Sequence, residues 1–297
     1  MKIIIIYKFT KLANAPDELF SMLNNTKNEN YNIYFIFDNA KKLIELINLH
    51  SSDDIIVHFN NRRLNIDELN NKNVRKIIQY HTEPNNGKVD LNVDDSFCKL
   101  VLNQYHCTIN EYKNCNHIIR NCFVYNEPIV FNDVIKIGYY PSVTRRQNHY
   151  YDKGYEETTA ILNEIKKLYP NIIIEVKSGI SYKECIESKR DCHIIIDECK
   201  TGSFHKSTIE GLKVGSVVLV YINNKITDTH IDIYGRSLPV INSRMSSLKE
   251  KLIELISIGK ESLEELALNN MNIFDEYWNE DIVSKEYFNI YEKLFNS

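Results

Sequence analysis

The sequence predicts an α/β chain of two successive domains, each a parallel sheet covered by helices. Three observations lead there. Short apolar runs alternate with segments of helical spacing along both halves, which is the pattern of βαβ units. The run at residues 193–196 is apolar without polar alternation, as a central parallel strand buried on both faces requires. The chain has 297 residues, enough for two domains of roughly 130 to 150 residues, each with its own core.

In the first half, apolar runs at residues 3–6, 33–37, 55–59 and 77–80 read as strands. Helical spacing lies between them at residues 17–23 and 40–49. Ligands of such sheets sit beyond the carboxyl ends of the strands. Three polar runs fall at those ends: residues 58–61, 81–84 and 104–106. A further apolar segment, residues 117–125, stops at Asn126-Glu127-Pro128, a turn sequence that marks the edge of the first domain.

The second half restarts the alternation. Residues 136–140 read as a strand, 155–168 as a helix, and 171–176 as a strand stopped by Ser178-Gly179. A short helix at 182–188, the strand at 193–196, a helix opening at 203–207 and a strand at 217–222 follow. Two Rossmann-like halves result. After Pro239 the pattern is helical to the end, with Leu248, Leu252, Leu255 and Ile256 marking one apolar face. The predicted division is residues 1–128, residues 129–273, and a terminal helix at residues 274–297.

Composition narrows the function. With 43% hydrophobic and 26% charged residues and a net charge of -4, the chain reads as globular and offers no electrostatic case for nucleic acid. No stretch approaches the roughly 18 to 20 apolar residues of a membrane span, which leaves only peripheral membrane contact. The start, MKIIIIYKFT, is too short an apolar run for a signal core and reads as the first strand. Seven cysteines, an odd number with no C-x-x-C pair, point to a reducing cytoplasm. Neither His106, Cys107, Cys115 and His117 nor Cys185, Cys192 and Cys199 has the short paired spacing of common structural zinc sites.

The most informative stretch is residues 191–215, DCHIIIDECKTGSFHKSTIEGLKVG. Gly202 breaks the strand, and a helix opens across Ser203, Phe204, His205, Lys206 and Ser207, continuing through Thr208 to Glu210 one turn in. The free N–H groups and positive dipole end of such a helix suit a diphosphate. Upstream lies a cation-bearing segment, Pro141-Ser142-Val143-Thr144-Arg145-Arg146, followed by Lys153-Gly154. Breaking a sugar–diphosphate bond leaves negative charge that such groups stabilise.

These two segments resemble the donor-binding elements of retaining glycosyltransferases with the GT-B fold, of the glycosyltransferase family 4, or group 1, type. Residues 202–210 resemble the signature E-x-F-G-x-x-x-x-E, and residues 141–154 resemble P-[ST]-x-x-R-x-x-K-G. The resemblance implies two Rossmann-like domains facing a central cleft, with a C-terminal helix crossing back to the first. It implies a UDP- or GDP-sugar donor, with Lys153 and either Arg145 or Arg146 clamping the diphosphate. Gly154, Phe204, Lys206, Ser207 and Thr208 would line the donor, Glu210 would bind the ribose, and the loop at Gly179 would read the base. Gln79-Tyr80-His81 followed by Glu83-Pro84 resembles the first-domain strand end that brings a histidine, here His81, near the transferred sugar.

The chain departs from the pattern at three places. Gly202 stands where the first glutamate is usual, which leaves Asp197 or Glu198 as upstream substitutes. His205 stands where a glycine usually follows the phenylalanine. Six residues, 147–152, separate Arg146 from Lys153. No D-x-D pair lies at a strand end, so the expected chemistry needs no metal and no cofactor besides the nucleotide sugar. No motif selects an acceptor among glycan, protein, lipid and nucleic acid. A catalytically degenerate GT-B-like binding or scaffolding subunit is the alternative.

Overall fold

The computed structural model describes residues 1–9, 15–26, 28–84, 89–142 and 153–297. Two compact units divide the chain: residues 1–124 together with 278–297, and residues 125–277.

The first unit holds a six-stranded parallel sheet of β1 (Lys2–Lys8), β2 (Tyr31–Phe37), β3 (Asp54–Asn60), β4 (Val74–Tyr80), β5 (Phe97–Leu102) and β6 (His117–Ile119). Its order is β2-β1-β3-β4-β5-β6. The isoleucine run of β1 suits a central position, because β-branched side chains pack well on both faces of a sheet, and Ile3 to Ile6 are wholly buried. The helices α1 (Ala15–Asn25) and α2 (Ala40–Leu49) alternate with the first strands. Asn39 caps α2 by accepting from the Lys42 N–H at 3.0 Å. The chain leaves β1 toward β2 and then returns to the other side for β3. The sheet's order therefore reverses between β1 and β3.

The second unit repeats this logic. Its strands are β7 (Lys136–Tyr139), β8 (Ile173–Val176), β9 (Ile194–Ile196), β10 (Val217–Val220) and β11 (Ile241–Asn242), all parallel, in the order β11-β10-β9-β7-β8. Between them run α3 (Tyr155–Leu168), α4 (Tyr182–Lys189), α5 (Lys206–Lys213) and α6 (Asn224–Tyr234), and α7 (Leu248–Ser257) and α8 (Lys260–Trp278) follow. Leu248, Leu252, Leu255 and Ile256 of α7 are buried in one core with Ile137, Ile194 and Val217. Here the order reverses between β7 and β9. Gly138 lets β7 pack closely: a Cβ there would lie 2.5 Å from the Tyr140 ring and 2.8 Å from Cys192 Sγ.

The last helix, α9 (Glu280–Phe295), belongs to the first unit. Asn279 starts it by accepting from the Ile282 N–H at 2.9 Å. Trp278 Nε1 donates to the Asn121 carbonyl at 2.9 Å, and Arg120 pairs with Glu286 at 3.2 Å. Tyr287 and Tyr291 are wholly buried, and Tyr291 OH lies 2.9 Å from His58 Nδ1.

Three expectations are corrected. The helix read as opening at 203 begins at Lys206 with His205 as its N-cap residue, because residues 199–205 form a loop held by side chains. Residues after Pro239 are not helical throughout: β11 first pairs with β10. The terminal segment is two helices, α8 and α9, because the Asn279 cap interrupts the expected single run.

Candidate functional site

Open α/β sheets bind ligands at the carboxyl edge where strand order reverses, since the loops there diverge to opposite faces and leave a crevice. In the second unit that place lies beyond β7 and β9. The loop leaving β9 begins with two carboxylates. Asp197 Oδ2 accepts from the His205 N–H at 2.8 Å and from Thr208 Oγ1 at 2.7 Å. Burial opposes its charge, but His205, Lys153 and the Thr208 hydroxyl outweigh that and hold its carboxyl well below the ordinary carboxylate range. Glu198, wholly buried, accepts from the backbone N–H groups of Lys200 at 3.0 Å and Thr201 at 2.8 Å, and from Thr201 Oγ1 at 2.5 Å. Both upstream carboxylates are thus engaged in building the loop.

Gly202 sits at the turn of this loop with φ +83°, and a Cβ there would lie 3.1 Å from the Tyr221 ring. Only glycine holds that conformation without strain. Phe204 is wholly buried, edge-on to His230 with ring centroids 5.2 Å apart. Beside it Ile222, Ile226, Leu238, Val240 and Asn242 enclose a cavity of ≈ 110 Å³.

On α5, Lys206 lies over the Tyr182 ring at 4.6 Å, and Ser207 Oγ accepts from Lys189 Nζ at 2.8 Å. Glu210 is buried, and its Oε2 accepts from the same Lys189 Nζ at 2.5 Å. Lys189 is the residue that sequence reading missed. A lysine closing a short polar helix reads as a solvated charge. The only available signal was its place four residues after Cys185, on one face of α4.

The start of α3 meets this loop. Gly154, φ +73°, is its N-cap residue, and a Cβ there would lie 3.5 Å from Lys200 Cδ. Lys200 in turn pairs with Glu157 of α3 at 2.8 Å. Lys153 is close enough to Asp197 for its charge to lower that carboxyl's pKa. Gly179, φ +70°, precedes α4 with open space on its Cβ side. Lys153 and Gly154 thus lead into α3, the helix that follows β7, and Phe204, Lys206, Ser207, Thr208 and Glu210 lie on the loop and helix α5 that follow β9. Arg145 and Arg146 lie outside the described residues.

His81 belongs to the first unit, just beyond β4. Its Nε2 lies 2.7 Å from Asn60 Oδ1, and its N–H donates to Asn61 Oδ1 at 2.7 Å. Asn60 and Asn61 are buried at the end of β3, beside the point where the first sheet reverses order.

Among the described residues, no group of three or more His, Cys, Asp or Glu is placed to hold a metal ion, and no helix is long and apolar enough to cross a membrane. No disulfide joins any of the seven cysteines, all of which are among the described residues.

No family model and no curated protein sequence matches the chain. Solved structures do. A glycosyltransferase from Rickettsia africae superposes with a TM-score of 0.59 at 13% identity, over 99% of this chain and 98% of that one. The chain has the GT-B fold. A second GT-B counterpart, sucrose-phosphate synthase from Thermosynechococcus elongatus, gives a TM-score of 0.60 at 9% identity over the whole of both chains. TarM of S. aureus, in complex with fondaparinux, alpha-GlcNAc-glycerol and UDP, gives 0.56 at 14% identity, over 86% of this chain and 58% of that one. At such identities the likeness is one of fold.

Proposed function

We propose that this GT-B chain is a glycosyltransferase of the family 4 type. It moves a sugar from a UDP- or GDP-sugar to an acceptor hydroxyl with retention of configuration, in the cytoplasm and without a metal. What supports this reading is the position of Lys153 before α3 and of Lys206, Ser207 and Glu210 on α5, the helices that follow β7 and β9, where the second sheet reverses order.

In this reading the diphosphate lies against the start of α5. The positive dipole end of α5, with Lys206, Lys153 and one of Arg145 or Arg146, takes up the charge that grows as the bond breaks. The bond from the anomeric carbon to the diphosphate oxygen breaks with its electron pair on the oxygen. The acceptor oxygen bonds to that carbon on the same face and passes its proton to the departing diphosphate. Glu210 holds the ribose, Gly154 and Gly179 admit the nucleotide backbone and base, and contact with the sugar or positioning of the acceptor is the role proposed for His81. Phe204 and Thr208 act from within the fold by fixing the loop.

Glu210→Ala would lose charge-assisted hydrogen bonds and weaken UDP or GDP binding at least about tenfold. Calorimetry on the folded variant checks this, and an unchanged affinity sinks the assignment.

A binding or scaffolding subunit is the second reading, and one observation favours it: Gly202 leaves no carboxylate at its position for the donor sugar. Slow hydrolysis of UDP- or GDP-sugars by the wild-type chain supports the enzyme. Nucleotide binding with no turnover on any donor supports the scaffold.

A further inference from the structure

Lys189 ends α4 and is almost wholly withdrawn from solvent. An ammonium has three protons to place, and a buried one must place them on protein. Two go to α5: Ser207 Oγ at 2.8 Å and Glu210 Oε2 at 2.5 Å. These acceptors stand three residues apart, on one face of the helix. On another side the ammonium lies 5.7 Å from the centre of the Tyr140 ring, just beyond β7. Lys189 therefore ties three elements of the crevice together at one atom: α4, the first turn of α5 and the exit of β7. Burial alone would push its pKa down, but Glu210, then Cys185 and Asp197, more than offset that and keep it a cation.

A buried carboxylate such as Glu210 that lacked a partner would be free to rotate toward water. A carboxylate held in one orientation accepts from a hydroxyl in a set direction. We propose that Lys189 is a positioning residue that holds the Glu210 carboxylate in place to read ribose, and so sets the preference of the site for ribonucleotides over deoxyribonucleotides. This rests on the reading of Glu210 as the ribose ligand. Ser207, held by the same ammonium, is fixed with it and keeps the first turn of α5 in register with the ribose site.

The test is calorimetric binding of UDP, GDP and their 2′-deoxy forms to wild type, Glu210→Gln, Lys189→Met and Lys189→Gln, with folding checked by circular dichroism. A structural role for Lys189 would lower affinity for both sugars alike, whereas positioning acts on their ratio. Wild type should prefer the ribonucleotide by about tenfold, and Glu210→Gln should lose most of that preference. Lys189→Met should lose it to the same extent. Lys189→Gln, which keeps one donor, should fall between. If Lys189→Met folds and retains the wild-type ratio while Glu210→Gln loses it, the positioning role is overturned and Glu210 stands as the ribose ligand. If Glu210→Gln also retains the ratio, the reading of Glu210 falls, and Lys189 with it. Should Lys189→Met fail to fold, Lys189→Gln decides by the same ratio: a wild-type value overturns the proposal.

Discussion

Asp197 holds His205 twice: its Oδ2 accepts the His205 backbone N–H at 2.8 Å and lies 3.5 Å from His205 Nδ1. The same oxygen accepts from Thr208 Oγ1, so one buried carboxylate ties the end of β9 to the first turn of α5. Asp197→Ala should cost about 2 to 3 kcal/mol of stability, the worth of charge-assisted hydrogen bonds plus the groups left unpaired. The sign with pH follows from a carboxyl held below its usual value. Its stabilisation is fully present above the unfolded pKa, about 4, and fades as pH falls below it. Urea unfolding of both proteins at pH 7 and pH 3 should show the gap between them shrinking at the lower pH.

His58 acts with the same sign in a higher pH range. It is wholly buried under α9, and burial pushes its imidazole down to about 3, only partly countered by a hydrogen bond with Gln79. The unfolded chain takes a proton near pH 6.5 that the folded chain refuses. Stability contributed by the neutral ring is therefore complete above about pH 6.5 and falls by roughly 1.4 kcal/mol per unit as pH drops from there toward 3. His58→Gln should lack this slope. Equal slopes for the two proteins between pH 6.5 and 4.5 would refute the assignment.

Restoring the usual glutamate at residue 202 should not restore a donor contact. Gly202 has φ +83°, and its Cβ side faces the Tyr221 ring and Asn223 at 3.1 to 3.3 Å. Gly202→Glu should cost at least about 1 to 2 kcal/mol and leave donor hydrolysis no faster than wild type. A melting curve and a hydrolysis assay check both halves, and faster hydrolysis would contradict the prediction.

Lys153→Ala should lower turnover by roughly a hundredfold while changing the donor KM much less, since the charge it meets grows in the transition state. Steady-state kinetics with the donor alone measures the split. Wild-type turnover would mean that the clamp has been misplaced.

Removal of residues 279–297 should unfold the first unit rather than trim it. The cut strips Tyr287 and Tyr291 from a buried face and leaves His58 and Gln79 facing the gap. It also breaks the half-buried Arg120–Glu286 pair. Proteolysis of the truncated chain should cut within residues 1–124 at rates typical of an unfolded segment.

The alternation of apolar runs and helical spacing was enough to place most strands and helices, because a strand covered on both faces has to be apolar along its whole length. Residues 3–6 and 194–196 show this directly: both lie in interior strands and both are buried. The break at Gly202 was legible too, since it takes left-handed backbone that other residues resist, whereas the caps His205 and Asn279 were not. The short β11 and the helix α6 were not, because a two-residue strand has no period and α6 mixes polar residues through its buried face.

What the sequence by itself determined was the two-sheet α/β plan and the position along the chain of the segments that carry charge and glycine. Local pattern is enough for that, since apolar period and turn chemistry act over a few residues. Only the tertiary structure decided how those groups are partnered. Lys189 and Glu210 are 21 residues apart, on different helices, and meet at 2.5 Å because β9 runs between them through the middle of the sheet. Asp197 and Glu198 look like spare carboxylates in sequence, yet both are consumed in holding the loop. A buried charge has to be satisfied by whatever the fold brings near it, and that requirement acts through space rather than along the chain.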